Sequence, residues 1–176
     1  MKIKTILIDG KPFTYEDELA DMSYDGLGGI SPEDGKNLLY KTKELFDECG
    51  IEFYLAFGTL LGAVREHAII HGDEDVDVMC PQEDKLRSSL PFLSQHGYEV
   101  CRIIEGELYS FRINKNAYID VYIIRPLHNS IWSIYCCCLS GLVTPRKFFE
   151  KIIDIEFLGT TFKSPVNPEK LVEFWY

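Results

Sequence analysis

The chain has no C-x-x-C pair among its six cysteines and no apolar run long enough to span a bilayer. Cys49, Cys80, Cys101 and the run Cys136-Cys137-Cys138 are therefore poor zinc ligands. They read as small buried apolar groups, kept reduced in a cytoplasmic setting. The amino terminus, MKIKTILIDGKPFTYEDE, lacks the apolar core of a secretory leader. Positive charge is scarce: 18 Lys and Arg stand against 28 Asp and Glu, a net charge of -10. That balance argues against a duplex nucleic-acid partner, which needs a basic footprint to displace counterions. Phosphate substrates stay open, because a bound metal supplies positive charge locally. There is no H-E-x-x-H, no Ser-His-Asp or Cys-His pattern and no internal repeat, so His67 and His71 read as structural or loop residues. What remains is a globular chain of 176 residues, 46% hydrophobic and 26% charged, enough for one domain with a substantial core.

Against that background one stretch stands out, Phe57 to Pro81, FGTLLGAVREHAIIHGDEDVDVMCP. Asp73, Asp75 and Asp77 are spaced by two, so a strand running through them presents all three on one face while Val76 and Val78 point into a core. Like charges packed this closely repel. A divalent cation relieves them, and an all-oxygen donor set favours magnesium or manganese. D-x-D-x-D also opens a calcium-binding EF loop, but that loop needs glycine at its sixth position and glutamate at its twelfth, where this chain has Val78 and Asp84. The plain alternative is a solvated acidic loop; the interleaved Val76, Val78 and Met79 favour the sheet.

Upstream, Gly58-Thr59 closes an expected strand, Ile51 to Phe57, and opens a short helical run, Leu60 to Glu66. Glycine there lets a phosphate approach the backbone, and the Thr59 hydroxyl and helix amides can bind it. Arg65, about two turns along, is in reach of a phosphate or a carboxylate, and a surface ion pair is its ordinary alternative. Asp120 sits in the apolar strand Tyr118-Ile119-Asp120-Val121-Tyr122, where a carboxylate is costly unless it binds metal or pairs with Arg112 or Arg125.

The flanks supply a scaffold. Residues 1–30 read as an N-terminal arm with a short hairpin turning at Asp9-Gly10, and 31–176 as the main domain. Ser31-Pro32-Glu33-Asp34 caps a helix that Gly50 stops. A second helix is expected over Glu83 to Gln95, broken or kinked at Pro91. Strands follow over Tyr98–Ile103, Leu108–Ile113 and Tyr118–Ile124, forming an antiparallel meander with turns at Gly106 and at 114–116. Residues 126–144 receive no assignment. Another helix is expected over Pro145–Ile153, then a hairpin turning near Gly159. A final helix, capped at Asn167, ends on Trp175-Tyr176, which implies either that the natural chain continues or that its end packs against something.

A glycine-hydroxyl turn after a strand, a D-h-D on the next strand and an acid on a later one resemble the nucleotidyltransferase superfamily. The longer spacing and the wording of GTLLGAVREHAIIHGDEDVDV resemble one branch of it, the LicD family, which includes fukutin-related proteins. Gly58 to Arg65, Asp73, Asp75, Asp77, Pro81 and Tyr118-Ile119-Asp120 match that family's motifs over most of residues 34–124. His71-Gly72 replaces its usual Pro-Trp, and Glu74 replaces an aspartate. Its Y-G-x-x-W stretch after the last helix is absent.

The resemblance implies an α+β fold, a nucleotidyltransferase-like mixed β-sheet flanked by helices. It also implies transfer of a phosphocholine-like group from a CDP-linked donor to a glycan or lipid-linked glycan hydroxyl. Asp75, Asp77 and Asp120 would be catalytic and hold Mg2+ or Mn2+, with Asp120 completing the shell or helping to deprotonate the acceptor. Gly58, Thr59, Arg65 and Asp73 would bind substrate. Two other readings stay open: transfer of the nucleotide itself to a small molecule or protein, and a non-catalytic metal- or nucleotide-binding module. The uncharged stretch from Trp132 to Leu142 reads as a buried loop, with a lipid-linked acceptor as its alternative partner.

Overall fold

The computed structural model describes residues 2–18, 28–114, 117–127, 134–137 and 142–176. Strands β1 (Lys2–Ile8) and β2 (Lys11–Asp17) form the expected hairpin. Its turn residues, Asp9 and Gly10, both have positive φ, the geometry that suits a tight hairpin. Ile8 and Tyr15 are buried in the same core as Leu38, Val78 and Phe111. The Glu18 N–H donates to the Cys101 carbonyl at 3.0 Å, which ties the arm to the sheet.

Helix α1 (Pro32–Cys49) begins as its sequence dictates. The Ser31 hydroxyl oxygen accepts from the Asp34 N–H at 3.0 Å, Pro32 follows, and Gly50 ends the helix in the left-handed conformation. Strand β3 covers only Tyr54–Leu55, shorter than the expected Ile51–Phe57, because Phe57 at φ 38 already turns the chain into helix α2 (Phe57–Leu61). A π-helical turn, Gly62–Glu66, continues α2. Strand β4 (Val76–Cys80) and helix α3 (Glu83–Gln95) follow. Pro91 does not break α3, which is continuous through it and forfeits one backbone hydrogen bond there.

Strands β5 (Glu99–Ile104), β6 (Leu108–Asn114) and β7 (Ala117–Ile123) make the expected antiparallel meander; Lys115 and Asn116 of its second turn lie outside the described residues. The central sheet has the order β3-β4-β7-β6-β5, with β4 and β7 parallel and the other neighbours antiparallel. It is a mixed sheet. Val76, Val78 and Cys80 bury their face of β4 in the core shared with Leu38 and Phe46 of α1 and Leu86 and Leu90 of α3. Asp77 and Met79 alternate to the opposite face, where Met79 packs with Tyr54, Ala56 and Ile124.

From the unassigned stretch come β8 (Arg125–Leu127), β9 (Ile134–Cys137) and β10 (Leu142–Pro145), a small antiparallel sheet. Residues 128–133 and 138–141 lie outside the described residues, among them 132, 133 and 138–141 of the stretch with a lipid-linked acceptor as its alternative partner. The helix expected over Pro145–Ile153 does not form. A single 3-10 turn, Arg146–Phe148, leads into β11 (Ile152–Phe157), whose isoleucines pair across to β12 (Thr160–Pro165). β-branched residues fit a pleated surface better than a helix, and this partner strand was available. Leu158-Gly159 makes the turn, both at positive φ. Helix α4 (Pro168–Trp175) closes the chain. Asn167 precedes it in a left-handed conformation and makes no side-chain cap, so only its carbonyl serves the helix, accepting from Leu171 N–H at 3.0 Å. No helix among the described residues is long and apolar enough to cross a membrane.

Candidate active site

The carboxylates enter the site from two kinds of backbone. Asp77 is in β4, but β4 begins only at Val76, so Asp73 and Asp75 lie on the loop that approaches it rather than on the strand. The expected row along one strand is therefore replaced by a row across the sheet. Asp77 stands in register with Asp120 on the parallel neighbour β7. Ser110 of β6 faces Asp120 in turn, and Arg102 of β5 faces Ser110. Four strands thus contribute Asp77, Asp120, Ser110 and Arg102 side by side.

Burial makes this row costly without partners. Asp120 is 1% exposed, Arg102 7% and Ser110 fully buried. One guanidinium nitrogen of Arg102 donates to both Asp120 oxygens, at 3.0 Å to Oδ1 and 2.8 Å to Oδ2. Arg102 Nε donates to Ser110 Oγ at 3.0 Å, and the Ser110 hydroxyl donates to Asp120 Oδ1 at 2.5 Å. The cationic partner of Asp120 is thus Arg102, which the sequence reading passed over; Arg112 instead binds Glu18 and Glu99. Arg102 and Ser110 sit in strands with no motif around them, so only the register exposes their role.

Among the described residues Asp77 has no such cation. Its side chain accepts from Gly58 N–H at 3.3 Å, and its own N–H donates to Thr59 Oγ at 2.9 Å. Gly58 and Thr59, read from sequence as phosphate ligands, here fasten α2 to β4. Gly58 has a second reason to be glycine: a Cβ there would lie 2.3 Å from Asp73 Oδ2. Asp73 thus approaches the Gly58 backbone closely. Its loop is clamped from the far side, where Ile30 N–H donates to the Asp73 carbonyl at 2.6 Å.

Electrostatics records the crowding. Burial first, then the charges of Asp120, Asp73 and Glu74, push the Asp75 carboxyl up to about 8. Burial also raises Asp77 well above the usual carboxylate range, with Asp75, Asp120 and Asp73 adding to the rise. Asp120 is raised by burial, against the pull of Arg102 and Ser110. Asp73 is raised by burial, which the Glu74 N–H partly offsets. The Tyr176 phenol is pushed up to about 12 by burial and then by Asp77, Asp73 and Asp75, which places the end of α4 beside the same cluster. Arg65, on the π-helical turn, is exposed and has no hydrogen-bond or ion-pair partner among the described residues.

Carboxyl oxygens that converge under mutual repulsion fit a hard divalent cation. Among the described residues no three of them already stand at the spacing of a preformed cage.

A mixed sheet flanked by helices, with neighbouring acid-bearing strands behind a Gly-Thr helix start, defines a nucleotidyltransferase-like fold. Two solved structures share it. The lincosamide antibiotic adenylyltransferase LnuA superposes with a TM-score of 0.57 at 9% identity, over 84% of this chain and 87% of that one. Antibiotic-resistance factor ANT(2'')-Ia does so with a TM-score of 0.54 at 13% identity, over 77% and 66%. The family model for the LicD/FKTN/FKRP nucleotidyltransferase domain matches residues 50–167, and the chain belongs to that family. The matched span includes Gly58 to Arg65, Asp73 to Asp77 and Tyr118 to Asp120.

Among curated relatives, protein RP689 of Rickettsia prowazekii is 32% identical over 114 residues, 64% of this chain and 40% of its own length. Ribitol 5-phosphate transferase FKRP of Mus musculus is 24% identical over 149 residues, 73% of this chain and 28% of its own length. The chain spans less than half the length of these relatives. Family membership supports a transferase of the phosphotransferase or nucleotidyltransferase kind.

Proposed function

We propose that this chain is a metal-dependent transferase that moves a phospho-alcohol group, phosphocholine-like, from a CDP-activated donor to a hydroxyl of a glycan or lipid-linked glycan. The observation that carries the reading is the register of Asp77 against Asp120, with Asp75 at its edge, in a chain of the LicD family. Asp75, Asp77 and Asp120 would hold Mg2+ or Mn2+. Bound there, the ion would offset the carboxylates' charge and that of the donor diphosphate.

The chain's own residues do the rest. Gly58 N–H and the Thr59 hydroxyl keep Asp77 in place at the start of α2. Arg65, exposed on the π-helical turn, and Asp73 would bind the donor, Arg65 by pairing with a phosphate. In the reaction the acceptor hydroxyl oxygen bonds to the phosphorus that carries the alcohol, the bond from that phosphorus to the bridging oxygen breaks, and CMP leaves. The acceptor's proton passes to a carboxylate of the cluster. In-line placement of the two oxygens supplies most of the advantage in such a displacement. The free thiols Cys49, Cys80 and Cys101 are in keeping with a cytoplasmic setting.

Calorimetric titration of CDP-choline, CDP and ATP, with and without Mg2+, tests this reading on wild type and Asp75→Ala. Magnesium-dependent cytidine binding that is lost in the variant is the expected outcome. A preference for ATP would move the reading to nucleotide transfer. Folded protein that binds no nucleotide would overturn it.

A further inference from the structure

Arg102 is a buried cation next to a site that calls for a cation of its own. Simple Coulomb reasoning makes it a competitor of any metal there. Its hydrogen bonds indicate a different role. A carboxylate offers about four lone-pair sites. On Asp120, Arg102 and Ser110 take both sites of Oδ1, and Arg102 takes one of Oδ2. One site is left, on Oδ2. The last torsion of aspartate is normally broad, and this three-bond clamp fixes it. Ser110 completes the clamp by accepting from Arg102 Nε while donating to Asp120, so the three groups orient one another.

Stability is a weak reason for the arrangement. Replacing a buried ion pair by well-packed apolar residues of similar volume is often neutral or stabilising, because desolvation offsets the Coulombic attraction. All three side chains also lie in the row that ends at Asp77, on the sheet face opposite the main core.

We propose that Arg102 is a positioning residue of the acidic site: with Ser110 it holds the Asp120 carboxylate in one orientation and leaves a single Oδ2 lone pair for a divalent cation shared with Asp77. The inference rests on the metal-binding part of the proposed function. In this role Arg102 acts through Asp120, the carboxylate it touches. The loss of such outer partners typically weakens metal binding roughly 10- to 100-fold.

The test is calorimetric Mn2+ titration of wild type, Arg102→Met, Arg102→Lys, Ser110→Ala, Asp120→Asn and the Arg102→Met/Asp120→Asn double variant, with near-ultraviolet circular dichroism reporting the fold. Arg102→Met should bind Mn2+ about 10- to 100-fold more weakly, Ser110→Ala less so, and Arg102→Lys should recover part of the loss. In the Asp120→Asn background, Arg102→Met should cost nothing further. Folded Arg102→Met that binds Mn2+ as tightly as wild type, or more tightly as relief of repulsion alone would give, overturns the proposal. If Arg102→Met does not fold, unchanged affinity in both Arg102→Lys and Ser110→Ala overturns it. Folded wild type that binds no Mn2+ defeats the proposed function itself, and this inference with it. Wild-type binding with an indifferent Arg102 defeats only the inference.

Discussion

Asp77 and Asp120 stand in register on adjacent parallel strands, yet among the described residues only Asp120 of the two has a cation against it. The same substitution should therefore have opposite effects on stability at the two positions. Asp77→Asn keeps an oxygen for the Gly58 N–H and removes one of the crowded charges, so the metal-free chain should become more stable. Each kcal/mol relieved raises the unfolding midpoint by about 2–4 °C in a chain of this size. Asp120→Asn takes the carboxylate charge away from the buried Arg102 guanidinium and should destabilise the chain, by up to about 3–5 kcal/mol. Both variants should lose activity. Thermal unfolding in the presence of a chelator measures the pair of shifts, and shifts of the same sign would contradict this account.

Stability should also fall as pH rises. The Asp75 carboxyl has an ordinary value of 3.8 and is pushed up to about 8 in the folded chain. Between those limits the folded state holds a proton that the unfolded state has released. That contribution is fully present below the unfolded value and is lost as pH rises through the folded one. With chelator present, the unfolding midpoint of wild type should decline between about pH 4 and pH 8 relative to that of Asp75→Asn. Added Mn2+ should flatten the decline by stabilising the ionised cluster. Parallel profiles for the two proteins would show that Asp75 ionises without penalty.

Gly58→Ala tests how closely the acidic loop is seated. The added methyl would stand 2.3 Å from Asp73 Oδ2, so Asp73 or α2 must move. Overpacking of this kind costs about 1–3 kcal/mol. Gly58→Ala combined with Asp73→Ala should recover most of the loss, because it removes the atom in the way. Chemical denaturation of the single and double variants gives the coupling directly. Additive losses would mean that the contact has no weight.

Much of this chain was legible before any coordinates. Ser31-Pro32 and Gly50 delimited α1, Asp9-Gly10 and Leu158-Gly159 marked hairpins, and alternation located β5, β6 and β7 to within a residue or two at each end. These signals lie within a few residues of what they specify. The run Pro145–Ile153 misled because helical and extended conformations were both locally acceptable, and β12, several residues further on, decided between them.

The site divides in the same way. Its acids were visible in the sequence because carboxylates among valines and tyrosines are conspicuous, and the family motif rests on them. Their arrangement was not visible. That Asp73 and Asp75 lie off the strand, that Gly58 makes room for Asp73, and that Asp120 meets Arg102 through Ser110 all depend on the pairing of strands from 76 to 123. Capping, turn chemistry and alternation are short-range and were settled by the sequence alone. Register between distant strands is set by the packing of the whole sheet, and only the tertiary structure could decide which buried charge answers which.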